Sequence, residues 1–393
     1  MGQDSQFEKG HAAPPVSEPD EDAGQEADGR TLRRGWTTGA CATAATAAAC
    51  SALFGMGFPD PVTIRLPGGN DVDFALSQTG QGAHGASAGQ EWAEAAVVKD
   101  AGDDPDVTHG AMIRSRVFRG APGTGIVFAA GPGVGTVTRE GLPVPVGEPA
   151  INPVPRRMMT EAATAMAERA GVAADLVIRI GIDHGEELAR KTMNGRLGIL
   201  GGLSVLGTTG IVIPYSCAAW IASIHRGIDV ARAAGLDHVA ASTGDVSERA
   251  VARHYDLPEI ALLDMGDFAG GTLKYLRRHP VARLTIAGGV AKLSKLAQGR
   301  LDLHSKRHAV DYDWLSARMA DLGADDDLIA AIRTANTANQ AVAIAAAAGM
   351  PLGDTIADGA RRTALDTLGP ECGIAVDVLV VDRAGTIVGR AGR

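Results

Sequence analysis

Cysteine is scarce in this 393-residue chain, and the four present, Cys41, Cys50, Cys217 and Cys372, stand far apart with no C-x-x-C spacing. That pattern argues against a disulfide framework and a cysteine-ligated zinc site, and it suits a reducing cytosol. Long apolar runs are also missing. The Ala-rich stretch from Ala40 to Leu53 is broken by threonines and falls short of the ~18 residues a membrane helix needs. A basic excess is lacking as well. The formal net charge is −9, and residues 1–30 hold most of it: Asp4, Glu8, Glu18, Asp20, Glu21, Asp22, Glu26 and Asp28 face only Lys9 and Arg30. The remainder is close to neutral, which excludes the electrostatic footprint of a nucleic-acid binder and leaves small molecules as the expected partners. So acidic a start is also unlike a signal or transit peptide, and a cytoplasmic location is expected.

What the chain does have is length for two cores, and glycine. At ~100–200 residues per domain, two domains are expected. Glycine supplies 51 residues, well above its usual share, and gathers in clusters where a backbone can turn tightly or approach a ligand. Residues 1–30, with Pro14, Pro15 and many acids, read as a disordered tail. Thr37 or Thr38 then caps a helix beginning near Ala40. Alternating Val62, Ile64, Leu66 and Val72, Phe74, Leu76 around Pro67-Gly68-Gly69-Asn70 predict a hairpin. The Gly/Ser/Ala stretch from Gln78 to Gln90 reads as a loop. Strands are expected at 95–98, 112–118, 125–128 and 176–182, and helices at 155–170 and 216–234. Beyond Gly235 the pattern becomes strand, glycine loop, helix, three times over, which is the signature of a parallel sheet. The expected class is therefore α/β, with an α+β substrate-binding domain over 31–235 and a Rossmann-like domain over 236–393.

Three clusters carry candidate chemistry. Lys99 to Gly110 packs Asp100, Asp103, Asp104, Asp106, Lys99 and His109 into twelve residues, a concentration of acid/base groups suited to proton abstraction. A solvated Asp turn is the plainer alternative, and the spacing is not that of an EF-hand. Asn194 to Ser216 is rich in glycine, and its amides, with Arg196, Ser204, Thr208 and Thr209, could cradle carboxylates or phosphates. Tight turns between packed elements explain it equally, and no P-loop is present. Thr37-Thr38-Gly39 is either an anion site at a helix start or a simple cap. In the second domain Thr243-Gly244, Asp264, Gly266-Asp267 and Gly288-Gly289 follow successive strands, where a nucleoside cofactor would sit. Asp264 is placed for ribose hydroxyls, Gly244 for the methionyl or sugar end, and Gly288-Gly289 for the base. His304 is a weaker candidate for the cleft, and Asp325-Asp326-Asp327 reads as a helix start.

Taken in order, Leu32 to Ala45, Lys99 to Thr108, Gly133 to Leu142, Gly147 to Arg156, Asn194 to Ser216 and Gly266-Asp267-Phe268 resemble the cobalt-precorrin-5B C(1)-methyltransferases, the CbiD family of cobalamin synthesis. The resemblance spans about residues 32–310. Where the family reads Gly-His-x-Gly-Lys, this chain reads Gly288-Gly289-Val290-Ala291-Lys292. The resemblance implies methyl transfer from S-adenosylmethionine to C1 of cobalt-precorrin-5B, giving cobalt-precorrin-6A, with the cobalt arriving in the substrate and no metal site on the protein. It implies Asp104 or His109 as base, assisted by Asp100 and Asp103. Thr37, Thr38, Lys99, Asn152, Arg156, Arg196, Ser204, Thr208 and Thr209 would hold the corrinoid's carboxylates. A non-catalytic tetrapyrrole carrier and a magnesium-dependent phosphotransferase are the rival readings, and a homo-oligomer is compatible with all three.

Overall fold

The computed structural model describes residues 31–84, 90–305 and 307–392, so the acidic tail expected over residues 1–30 lies outside the described part. The first unit runs β1 (Gly35–Trp36), α1 (Thr38–Leu53), β2 (Val62–Arg65), β3 (Asp71–Phe74), β4 (Gln78–His84), β5 (Gln90–Val98), β6 (Met112–Arg119) and β7 (Ile126–Ala130). It continues through β8 (Thr136–Val137), α2 (Pro153–Ala170), β9 (Leu176–Ile182), α3 (Gly185–Ala189), β10 (Ile199–Leu200) and β11 (Ile211–Val212). Its main sheet has the order β4-β5-β6-β9-β7, antiparallel except for the parallel β9–β7 pair. All of α1 is buried, between that sheet and α2. A helix that is apolar on every side needs partners on every side, and its many alanines let them come close. Its threonines do not disturb this, because Thr43 and Thr46 donate back to the Gly39 and Ala42 carbonyls.

The second unit contains α4 (Cys217–Ala233), β12 (His238–Ser242), α5 (Asp245–Tyr255), β13 (Leu262–Asp264), α6 (Ala269–Arg278), β14 (Arg283–Gly289) and α7 (Val290–Ala297). It ends with α8 (Tyr312–Asp321), α9 (Asp326–Arg333), α10 (Ala338–Ala347), α11 (Leu352–Leu368), β15 (Ala375–Val381) and β16 (Ile387–Ala391). The sheet order is β13-β12-β14-β15-β16, parallel but for the last strand. Helices cover both faces. Val251 of α5 packs on Ala240, Leu262, Ala287 and Leu379, while α4, α6, α7 and α11 bury their apolar stripes against Val239, Ala241, Ile286 and Val378. Strand order reverses between β12 and β14, which makes their carboxyl ends the switch point at which open α/β sheets bind ligands. The structure thus has the expected α/β class, and among its described residues no helix is long and apolar enough to cross a membrane.

Two expectations change. The stretch from Gln78 is no loop: Gln78–His84 pairs antiparallel with β5, and only residues 85–89 of it lie outside the described part. The Trp92 ring of the neighbouring strand lies over Gly80 and Gly82, tightly enough at Gly82 that a Cβ would stand 3.3 Å from it. Helix α4, in turn, buries Ile224, Ile228 and Ala231 in the core of the second sheet. By packing it belongs with that sheet, ahead of the division expected near Gly235.

Candidate functional site

The acidic loop is built by three backbone crossings. Residues 33–36 zip onto residues 100–103 through Trp36 N–H to the Asp100 carbonyl, 2.7 Å, and Asp103 N–H to the Arg33 carbonyl, 2.9 Å. The fit is so close that a Cβ on Gly102, at φ +70°, would stand 2.1 Å from the Arg33 oxygen. Thr37 N–H reaches the Gly210 carbonyl and Gly39 N–H the Leu206 carbonyl, both at 3.0 Å. Asn152 N–H reaches the Val205 carbonyl, also at 3.0 Å. The N-termini of α1 and α2 therefore converge on residues 205–210 with their positive ends together.

Within that frame the carboxylates have different fates. Asp100 is gripped by the Arg33 guanidinium and by Gly102 N–H, which hold its carboxyl down at about 2. So acidic a group is a poor proton acceptor. Asp103 accepts Arg33 N–H at 2.7 Å. Asp106 is pushed up by burial, but the Lys99 ammonium and hydrogen bonds from Lys99 and Thr108 outweigh this and keep it below the usual range. Asp104 alone reaches toward the second unit, where its Oδ1 accepts Tyr215 N–H at 2.9 Å. Its Oδ2 has no protein partner among the described residues. His109 Nδ1 accepts Ala101 N–H at 3.1 Å, so the neutral ring carries its proton on Nε2. In this geometry His109 offers a donor on Nε2, with the Nδ1 lone pair engaged by the Ala101 amide.

The Asp100 pair has a pH consequence. Its folded pKa lies below the unfolded value of ~3.9, so its stabilisation is complete above that value and is lost as pH falls toward the folded one. The melting-temperature gap between wild type and Asp100→Asn is expected to stay level above about pH 5 and to close between about pH 4 and about pH 2. A gap unchanged at the acid end would place the stabilisation elsewhere.

Several expected anion-binding side chains are spent on the protein itself. Lys99 is 1% exposed and pairs with Asp106. Arg156 bonds the Ile151 and Pro149 carbonyls and Glu148, fastening the loop before α2. Arg196 clamps Glu248 at 2.6 and 2.9 Å and Glu259 at 3.0 Å, bridging the two units. Ser204 lies 3.5 Å from the buried Asn194. Two of the four glycines from 195 to 202, Gly198 and Gly202, also serve packing, while Gly195 and Gly201 face open space. A Cβ on Gly202 would stand 2.3 Å from the Gly133 oxygen, and one on Gly135 2.5 Å from Ile199. The expected nest contracts to residues 206–210, where Thr208 and Thr209 are exposed and Thr37 and Thr38 lie buried beneath. The Asn152 side chain makes no capping hydrogen bond.

At the switch point, Lys292 of α7 ties Thr243 to Asp267, donating a hydrogen bond to the Thr243 carbonyl at 2.9 Å and forming an ion pair with the Asp267 carboxylate at 3.1 Å. Gly244 has φ +155°, and neither it nor Gly289 has anything within 4 Å of where a Cβ would stand. The Oγ of Ser242, fully buried at the end of β12, has no hydrogen-bond partner among the described residues. Asp264 ends β13 with its carboxyl pushed up by burial and by Glu248 and Asp245. Gly288 is different: a Cβ there would meet Thr243 at 2.8 Å, so this glycine admits protein and not ligand. Gly266, at φ +56°, lies under the Trp220 indole.

Sequence reasoning passed over the residues that join the two halves. Tyr215, at φ +56°, gives its N–H to Asp104, and Trp220, one turn into α4, donates Nε1–H to the Asp264 carbonyl at 3.1 Å. Neither carried a signal in the sequence, because the positive φ of Tyr215 and the indole-to-carbonyl bond exist only in the folded chain. Two hollows of 340 and 440 Å³, bordered by His254 and Asp354 and by Arg232 and Asp237, lie away from this junction. Charge and close backbone approach mark the site. No group of three His, Cys, Asp or Glu side chains is placed to hold a metal among the described residues.

The family profile described as CbiD matches residues 25–214, and that described as CbiD, C-terminal domain, matches residues 302–392. A Paramagnetospirillum magneticum protein named cobalt-precorrin-5B C(1)-methyltransferase is 59% identical over 366 residues, covering 93% of this chain and 99% of its own. An Agrobacterium fabrum protein of the same name is 58% identical over 365 residues, covering 93% and 94%. A crystal structure of a cobalamin biosynthesis protein (CbiD) from Archaeoglobus fulgidus is 27% identical and covers 70% of this chain and 83% of its own, at a TM-score of 0.37.

Proposed function

The chain belongs to the CbiD family, and we propose that it transfers a methyl group from S-adenosylmethionine to C1 of cobalt-precorrin-5B, giving cobalt-precorrin-6A. The carrying observation is the segment from Tyr215 to Trp220. Its first residue holds the free acid of the substrate half, and its last is bonded to the strand end that bears Asp264.

The switch point suits such a donor, with open space beside Gly244 and Gly289, the orphan hydroxyl of Ser242, and Asp264 positioned for ribose hydroxyls. When bound, S-adenosylmethionine supplies a methyl group on a sulfonium that leaves as a neutral thioether, so the protein's task is chiefly alignment and exclusion of water. Asp104 Oδ2 accepts the proton the ring system gives up, while Tyr215 N–H holds Oδ1 and fixes the carboxylate's orientation. The converging starts of α1 and α2, with Thr208, Thr209 and the Asn152 amide, supply the positive face for the corrinoid's carboxylates. Arg196 contributes by holding the units together.

The test is incubation of the purified chain with cobalt-precorrin-5B and S-adenosylmethionine. The expected product is heavier by one CH₂ unit, formed together with S-adenosylhomocysteine. Tight corrinoid binding with no methylated product would instead identify a carrier.

A further inference from the structure

Resting on that reading, we propose that Trp220 is the stacking platform for the purine of the methyl donor, which places the base on the outer side of β13 and not beside Gly288-Gly289. Three observations carry this. The indole is 46% exposed although it belongs to a helix whose Ile224, Ile228 and Val230 are buried and whose Ile221 is half-buried. It is nevertheless fixed: Nε1–H bonds the Asp264 carbonyl, the six-membered ring edge lies against Gly266, and Phe268 packs at 6.1 Å and 49°. A flat apolar ring held rigid and half bare is pre-organised for another flat ring, because its conformational entropy is already spent.

The location selects the base. Trp220 is bonded to the main chain of the residue whose carboxylate stands at the ribose position, so a purine on that ribose falls within reach of the indole. On the opposite side Gly288 is closed, although Gly289 beside it is open. Around Gly288 the space a base would need is filled by Thr243 and by Leu293, 2.8 and 3.0 Å from a would-be Cβ. Gly266 completes the platform, since its φ of +56° favours glycine and the indole lies in van der Waals contact over it, 3.4 Å from where a Cβ would stand.

The test measures binding of S-adenosylhomocysteine, adenosine and methionine to wild type, Trp220→Phe and Trp220→Ala by calorimetry, with tryptophan fluorescence recorded alongside. Stacking on an aromatic side chain predicts that Trp220→Ala binds S-adenosylhomocysteine and adenosine about 10-fold or more weakly. Trp220→Phe should keep most of the affinity, and any methionine binding should not change. Wild-type fluorescence should be quenched by adenosine, and the quench should vanish in Trp220→Phe. That phenylalanine variant keeps the test decisive should the alanine variant fold poorly. Wild type that binds S-adenosylhomocysteine equally well with and without Trp220 would overturn the platform alone. Wild type that binds none of the three would overturn the donor reading and the platform with it. Loss confined to corrinoid binding would assign Trp220 to the macrocycle and end this proposal.

Discussion

Asp104→Asn should lower the turnover number for methyl transfer about 100-fold or more while changing S-adenosylhomocysteine affinity less than about twofold, the low end of what a positioned proton acceptor contributes. The substitution is selective for a structural reason. Asparagine keeps a carbonyl oxygen to receive Tyr215 N–H, so the clip between acidic loop and α4 survives, but its amide nitrogen cannot accept a proton where Oδ2 stood. Asp103→Asn provides the comparison, since Asp103 is tied to Arg33 N–H and should cost far less turnover. Steady-state kinetics with calorimetry separates the two effects. Weakened donor binding with unchanged turnover would remove Asp104 from the chemistry.

Lys99→Met is expected to destabilise the first unit by about 3–5 kcal/mol, because it removes one partner of a buried ion pair and strands the other. Lys99 is 1% exposed and Asp106 a quarter exposed, so the remaining carboxylate would be largely cut off from water. Lys99→Met/Asp106→Asn should recover much of the loss. The asparagine carbonyl can still serve Thr108 N–H and Oγ1–H, while the unpaired charge is gone. Urea unfolding of the single and double variants measures this. A double variant no more stable than the single would show that the lysine acts through packing instead of charge. The pair's pH behaviour has a definite sign: Asp106 is held below its usual range, so the stabilisation is full at neutral pH and fades on acidification.

Local pattern and tertiary placement contributed unequally to the site. The hairpin at 62–74, the strand at 176–182 and the helix capped by Thr37 follow from short-range periodicity and capping, and each was legible. The Gln78 strand was not, because its glycines read as a loop and its pairing with the next strand, whose Trp92 ring lies over them, exists only in the fold. Strands β15 and β16 also escaped, although Ala375–Val381 is nearly all apolar, because a short buried run has no periodicity to separate strand from helix. Among the expected site residues, chemical type was legible in the chain but availability was not. Lys99, Arg156 and Arg196 looked like anion ligands, and each has its charge consumed by Asp106, Glu148 and Glu248.

By itself, then, the sequence determined two apolar regions, the repeated strand and glycine-loop units of the parallel sheet, and the acidic cluster, since each is legible in local pattern, in periodicity, glycine placement and charge, before any long-range pairing is known. Only the tertiary structure decided which acid keeps a free oxygen, which glycines face open space and which face protein, and that Tyr215 and Trp220 span the halves. Those outcomes depend on contacts between residues some forty to more than a hundred positions apart. A charge or a hydroxyl reads the same in the chain whether it faces a ligand or is already paired, and only the folded geometry distinguishes the two.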